Sequence, residues 1–182
     1  NFLYGIVNSW LKSFFAPDAP VVFEYPQLLL NNDNPPLHDF LLHYQLTMEE
    51  SIVFLIALSP HLQPGFFDSV IQSYLPNGGD FTEMGGTKAG NHRGMLPTGE
   101  TAQFILAGND LDKRIEVHQL LTEGRLVTEN IARLESVKDG EPTMSGRLLI
   151  SQEWVDKILF GRETNIKFST EFPAKNIVTE MT

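Results

Sequence analysis

The sequence predicts an α+β fold that is predominantly α-helical, with one small β-hairpin and a long glycine-rich loop. Apolar residues recur at helical spacing along most of the chain, which is the main signal for helices that pack on a core. An Asp-Gly pair at positions 139–140 favours a hairpin turn. Seven of the fourteen glycines lie within residues 77–99, which indicates a loop there. Helices followed by a hairpin at 126–150 also leave a winged-helix-like arrangement open.

The first fifteen residues predict an amphipathic helix that ends before Pro17. Five prolines follow in the next twenty residues and exclude a single regular element, although a short strand fits at 21–25. We therefore divide the chain into an N-terminal helix with a Pro-rich connection, residues 1–36, and a mainly helical domain, residues 37–182. The first helix is then free to sit apart from the main core or to dock on a partner.

Local capping signals predict the helices of the middle region. Residues 37–46 have helical spacing, and the Thr47-x-x-Glu50 pattern is typical of a capping box before a buried helix. We expect this buried helix to end at Pro60. A short helix follows at residues 65–74.

Two more helices are predicted after the glycine-rich loop. Thr98 is a plausible N-cap of a helix that ends at Gly108, with Glu100 in its positively polarised first turn. Asp110 can cap the next helix, which ends at Gly124. The apolar residues expected to define its packing stripe are Leu111, Ile115, Leu120 and Leu121.

The last third of the chain predicts the hairpin and a closing helix. Residues 126–137 are ambiguous, residues 138–142 form a turn, and residues 143–150 are the expected returning strand. Ser151 then caps a helix that Gly161 closes.

Composition excludes several classes of protein. With 42% hydrophobic and 20% charged residues, the 182-residue chain is globular rather than disordered. The absence of cysteine excludes disulfides, thiolate zinc sites and cysteine nucleophiles. A net charge of −10 disfavours nucleic acid and anionic membranes as partners, and nine acids against one basic residue in 1–87 would attract a basic surface. The sequence contains no run long and apolar enough to span a bilayer and no signal-peptide pattern, so we expect a cytoplasmic protein.

The sequence holds no complete catalytic or metal-binding motif. No Gly-Lys-Ser/Thr tripeptide is present, so a phosphate-binding loop for nucleotide hydrolysis is excluded. The five histidines do not have metal-ligand spacing, and we expect no metal and no cofactor in this chain. One alternative remains, a small hydrolase or ligand-binding domain in which His92 and Glu100 act as an acid–base pair in a cleft.

The glycine-rich loop is the candidate functional site. Three interpretations stay open: a structural loop, a partner-binding loop, or a loop whose amides and cations hold a small anion. We favour partner binding, and the candidate contact residues are Asp80, Glu83, Lys88, Asn91, His92 and Arg93.

Three long strings, together with the end of the chain at 168–175, resemble one family. The strings are Leu58-Ser59-Pro60-His61-Leu62-Gln63-Pro64-Gly65-Phe66-Phe67-Asp68, Asn91 to Gly108 and Gly140 to Ser151. They are similar to the region that precedes the ATPase module in a bacterial family of AAA+ ATPases, associated with contractile injection gene clusters.

This resemblance implies a non-catalytic N-terminal adaptor or regulatory domain that binds a protein partner or substrate. ATP and Mg²⁺ would bind only in the module downstream, where hydrolysis would occur. The parent protein would be a homo-hexamer, while the isolated domain would be a monomer. The ending at Ile177–Thr182, without a stop signal, is expected for a chain cut from a longer protein.

Overall fold

The computed structural model describes residues 2–15, 39–40 and 43–160, and it confirms a predominantly helical α+β fold. The helices are α1 (Phe2–Phe15), α2 (Met48–Leu62), α3 (Phe66–Gln72), α4 (Gly99–Ala107), α5 (Leu111–Glu123), α6 (Arg125–Thr128) and α7 (Gln152–Phe160). The strands β1 (Ala132–Leu134) and β2 (Leu148–Ile150) pair antiparallel. Short 3₁₀ turns occur at Thr82–Met84 and Thr143–Ser145. The predicted strand at 21–25, the closing Gly161 and the boundary after residue 36 lie outside the described residues.

Helix α2 is the centre of the core, and its predicted N-terminal cap is confirmed. Ile52 and Phe54 are fully buried, as is most of the helix between its ends. The Glu50 N–H donates to Thr47 Oγ1 at 3.1 Å, and the Thr47 N–H donates to Glu50 Oε2 at 2.9 Å. These two bonds satisfy donors that a helix start would otherwise leave unpaired.

The prediction that α2 ends at Pro60 was wrong, because the helix continues through Pro60 to Leu62. A proline inside a helix deprives the carbonyl four residues earlier of its N–H partner. That carbonyl belongs to Ile56, and the buried Ser59 hydroxyl donates to it at 2.8 Å. The side chain before the proline thus replaces the missing bond, and the last turn remains helical.

Helix α1 does not sit apart from the core. Leu3, Ile6, Val7 and Leu11 are buried in one cluster with residues of α2, α3 and α4. At the end of α4, Gly108 has a φ of +55°, and a methyl group there would lie 2.3 Å from the Trp10 ring. Glycine at this position therefore both ends α4 and lets Trp10 pack over the turn.

Helix α5 packs against α4, but through a different face from the predicted stripe. Val117 and Leu121 are buried, whereas Leu111 is 70% exposed and Ile115 is 52% exposed. The prediction that Leu111 and Ile115 belong to the packing stripe was therefore wrong. The Gln103 side chain fixes the observed face by donating from Nε2 to the Arg114 carbonyl at 3.0 Å.

The two strands form a small sheet closed by a long connection instead of a tight hairpin. Ala132 pairs with Ile150, and the predicted turn is present because the Glu141 N–H donates to the Lys138 carbonyl at 3.0 Å. The expected returning strand at 143–150 is confirmed only for its last three residues. Its first part is the 3₁₀ turn, which buries Met144 against α4 at Gly99.

An ion pair ties the base of this connection. The Arg147 guanidinium donates two hydrogen bonds of 2.7 Å to the carboxylate of Glu135. These bonds lower the pKa of the Glu135 carboxyl and raise the pKa of Arg147. Because the pair is partly exposed to solvent, we expect it to add little to the free energy of unfolding. It does hold the segment after β1 beside the segment before β2.

Candidate functional site

The glycine-rich segment contains a closed loop of eight residues. Thr87 and Leu96 exchange two backbone hydrogen bonds, of 3.0 Å from the Thr87 N–H and 2.8 Å from the Leu96 N–H. This isolated bridge closes residues 88–95 into what we call the 88–95 loop. The chain on either side is therefore held in fixed register.

Side chains and backbone amides seat this loop on the helical body. Met84, which precedes the loop, and Met95, its last residue, are both buried. The Gly86 N–H donates to Thr98 Oγ1 at 3.1 Å, and the Met95 N–H donates to Asp68 Oδ2 at 2.7 Å. The loop is therefore anchored to the starts of both α3 and α4.

The predicted charged contacts lie at the surface of this region. Lys88, Asn91 and Arg93 are exposed on the 88–95 loop, and neither cation forms an ion pair within the described residues. Asp80 and Glu83 are exposed just before the loop. Within the part of the chain that the structure describes, no intramolecular salt bridge competes for the charged side chains among them.

His92 occupies a different position from its neighbours on the loop. Its Nε2 is buried and has no hydrogen-bond partner among the described residues. A methyl group on Gly94 would lie 3.0 Å from this nitrogen, 3.1 Å from Asp68 Oδ2 and 2.4 Å from the Pro64 carbonyl oxygen. His92 as a whole is half-buried, and its Nε2 lies on the side of the loop that faces Pro64 and Asp68.

The structure does not form the acid–base pair expected from His92 and Glu100. The Glu100 carboxylate accepts a hydrogen bond of 3.1 Å from the Ser145 hydroxyl. No hydrogen bond joins His92 and Glu100 in the described ranges. The hydrolase alternative stays a prediction from the sequence.

Two open grooves share Glu100 in their lining. The larger, about 800 Å³, lies beside the base of the loop and is lined by Asp80 and Lys88 together with Asp68 and Glu100. The smaller, about 570 Å³, contains no residue of the loop and is lined by Glu83 and Glu100 together with residues such as Gln103 and Met144. The structure thus brings Asp80 and Lys88 to one groove and places Glu83 at the other.

Sequence reasoning missed the roles of Asp68 and Gln103. From the sequence alone, Asp68 is an acidic residue in the first turn of a helix. In the structure its carboxylate accepts a hydrogen bond from the backbone N–H of Met95, 27 residues later. Gln103 is a polar residue that is only 9% exposed, with its amide bonded to α5. Each contact depends on tertiary packing, so no local pattern reveals it.

Among residues 2–15, 39–40 and 43–160, no three histidine or carboxylate side chains converge as metal ligands would. Over the same ranges, none of the helices has the length and apolar character needed to cross a bilayer.

Comparison with known proteins adds no relative. No protein-family model, no curated protein and no solved structure matches the chain. The likeness to the region preceding an AAA+ ATPase module, and the winged-helix arrangement, therefore remain predictions from the sequence.

The neighbouring histidines His61 and His92 predict a pH-dependent stability. Partial desolvation lowers the pKa of the His61 imidazole from its ordinary value of 6.5, and the nearby imidazole of His92 lowers it further. Because the folded state disfavours protonation, stability is greatest above pH 6.5 and falls as the pH drops through the lowered pKa. The free energy of unfolding in urea should therefore fall more between pH 7.5 and pH 5.5 for the wild type than for a His61→Gln variant. These two pH values lie on either side of the ordinary histidine pKa of 6.5.

The matched control is His118→Gln, which removes an exposed histidine from α5. It should keep the pH dependence of the wild type. Equal pH slopes for His61→Gln and the wild type would contradict the prediction.

Proposed function

We propose that the chain is a non-catalytic adaptor or regulatory domain that precedes the ATPase module of a bacterial AAA+ ATPase. It binds a protein partner or substrate in the cytoplasm through the 88–95 loop. ATP and Mg²⁺ bind in the downstream module of a homo-hexameric parent, while the isolated domain is a monomer. The similar strings and the missing Gly-Lys-Ser/Thr motif support the separation of binding from hydrolysis.

The observation that carries partner binding is an anchored loop with exposed, charged side chains. The Thr87–Leu96 bridge and the Met95–Asp68 hydrogen bond hold the backbone, while Lys88 and Arg93 remain exposed without ion pairs in the described part of the chain. A surface ordered before binding loses less conformational entropy when a partner docks. Exposed loops on a rigid body are also where recognition residues concentrate.

Site-specific photo-crosslinking in the producing bacterium tests this function. A photoreactive amino acid at Asn91 should give a discrete crosslinked product, because this position lies at the exposed tip. The Lys88→Ala/Arg93→Ala double variant should lower the yield by about tenfold, since both cations would contact the partner. His92 is left intact because its ring supports the loop.

The control places the same photoreactive group at Asp139, an exposed position in the 138–141 turn. Equal products from both positions would contradict loop-mediated binding. Purified chain should also turn over no ATP. ATP hydrolysis abolished by a substitution within this chain would overturn the adaptor role.

A further inference from the structure

The larger groove beside the 88–95 loop has an apolar floor. Ile71, in the last turn of α3, and Leu75, three residues beyond that helix, line it together with Phe81 and Met95. Phe81 and Met95 are almost wholly buried, so the floor is continuous with the core. Ile71 and Leu75 are half-buried, which leaves apolar surface that a bound side chain can cover.

The rim of this groove is acidic. The carboxylates of Asp68, Asp80 and Glu100 line it against the single ammonium of Lys88. Asp68 and Glu100 each use one oxygen on an internal donor, whereas Asp80 has no hydrogen-bond or ion-pair partner within the described residues. Residues 1–87, which supply much of the lining, carry nine acids and one basic residue. An occupant of complementary charge is therefore cationic.

Bare backbone completes the lining. Gly78 and Gly79 face the groove without side chains, and nothing lies within 4 Å of the space where their β-carbons would be. Gly79 and Asp80 make no backbone hydrogen bond in the described structure, so their N–H and C=O groups are open to an incoming chain. Main-chain groups of this kind recognise a polypeptide segment.

We infer that this groove binds a basic, apolar segment of the partner protein, with a Lys or Arg side chain at Asp80 and an apolar side chain against Ile71 and Leu75. The inference rests on the proposed function and names the chemistry of its partner. The groove takes a segment of the partner, while the adjacent loop contacts the body of the same partner.

Fluorescence anisotropy with two labelled synthetic peptides tests the inference on the full chain. One peptide alternates Lys and Leu, and the other is identical except that each Lys is replaced by Glu. The Lys-Leu peptide should bind the wild type saturably, while the Glu-Leu peptide should bind at least about tenfold more weakly, because the rim carboxylates repel it.

Charge reversal at the rim provides the decisive comparison. Asp80→Lys should lower the affinity for the Lys-Leu peptide by about tenfold and raise the affinity for the Glu-Leu peptide, because the introduced ammonium reverses the charge at this point of the rim. Asp139→Lys makes the same charge change on the exposed 138–141 turn, away from the groove, and should alter either affinity by less than about twofold. Leu75→Ser should lower the affinity for both peptides, because it removes apolar surface from the floor that contacts their leucine side chains.

Equal effects of Asp80→Lys and Asp139→Lys would overturn the inference, as would stronger binding of the Glu-Leu peptide to the wild type. Binding of free lysine amide as tight as that of the Lys-Leu peptide would also overturn it, since the groove would then hold a small cation. If the peptides do not bind but the crosslink at Asn91 still forms, only the inference about the groove is refuted. Peptide binding without that crosslink refutes only loop-mediated partner binding.

Discussion

Leu11→Ala should destabilise the domain by about 2–5 kcal/mol, the range measured for fully buried leucines. Leu11 is 0% exposed and lies in the same buried cluster as residues of α2 and α4. Truncation removes apolar contact and leaves a cavity that the neighbouring helices fill only in part. Equilibrium urea unfolding, monitored by Trp fluorescence or circular dichroism, measures the loss.

The same substitution at an exposed leucine is the control. Leu111 is 70% exposed on α5, so Leu111→Ala should change the free energy of unfolding by less than about 0.5 kcal/mol. Similar effects at both positions would mean that α1 does not share the core. The pair of variants therefore tests whether the N-terminal helix is part of the folded body.

The two leucines also show how far periodicity predicts packing. The helical spacing in α1 correctly predicts the helix and the burial of Leu11, but Phe14, on the same predicted stripe, is 38% exposed. The stripe proposed for α5 fails at Leu111 and Ile115, because α4 covers the adjoining face that carries Val117 and Leu121. A helical pattern identifies apolar positions, but the neighbouring helix decides which of them are covered.

Local rules succeed where the partner group is near in sequence. The Thr47–Glu50 cap and the 138–141 turn are formed by residues three apart, and both are correctly predicted. The Pro60 rule fails because Ser59 supplies a substitute hydrogen bond to Ile56. A proline therefore signals a helix end only when nothing else satisfies the freed carbonyl.

The candidate site likewise has one part that the sequence predicts and one part that depends on tertiary contacts. Exposed polar residues of the loop, such as Lys88 and Arg93, are recognisable from their setting among glycines. The seat of the loop is not, because Asp68, Pro64 and His92 meet only after α2 and α3 have folded. Sequence therefore predicts where the loop is and which charges it presents, whereas the structure supplies what fixes its position.

Gly94→Ala should lower the free energy of unfolding by about 1–3 kcal/mol, the usual effect of forcing an extra carbon into a packed contact. The added methyl group would lie 2.4 Å from the Pro64 carbonyl oxygen, a backbone atom that cannot rotate away. Relief of this clash requires the loop to lift from α3, which breaks the hydrogen bond from the Met95 N–H to Asp68. Amide hydrogen exchange at Met95 should accelerate accordingly.

Gly90 offers a matched control within the same loop. A methyl group there has nothing within 4 Å, so Gly90→Ala should change stability by less than about 0.5 kcal/mol and leave Met95 exchange unaltered. Equal stability and equal Met95 protection in the two variants would show that Gly94 is not part of a tight seat. A Gly94→Ala variant that loses both this protection and the Asn91 crosslink, while Gly90→Ala retains them, ties recognition to the fixed position of the loop. The charges at the tip would be unchanged in both variants, so charge alone could not explain the difference.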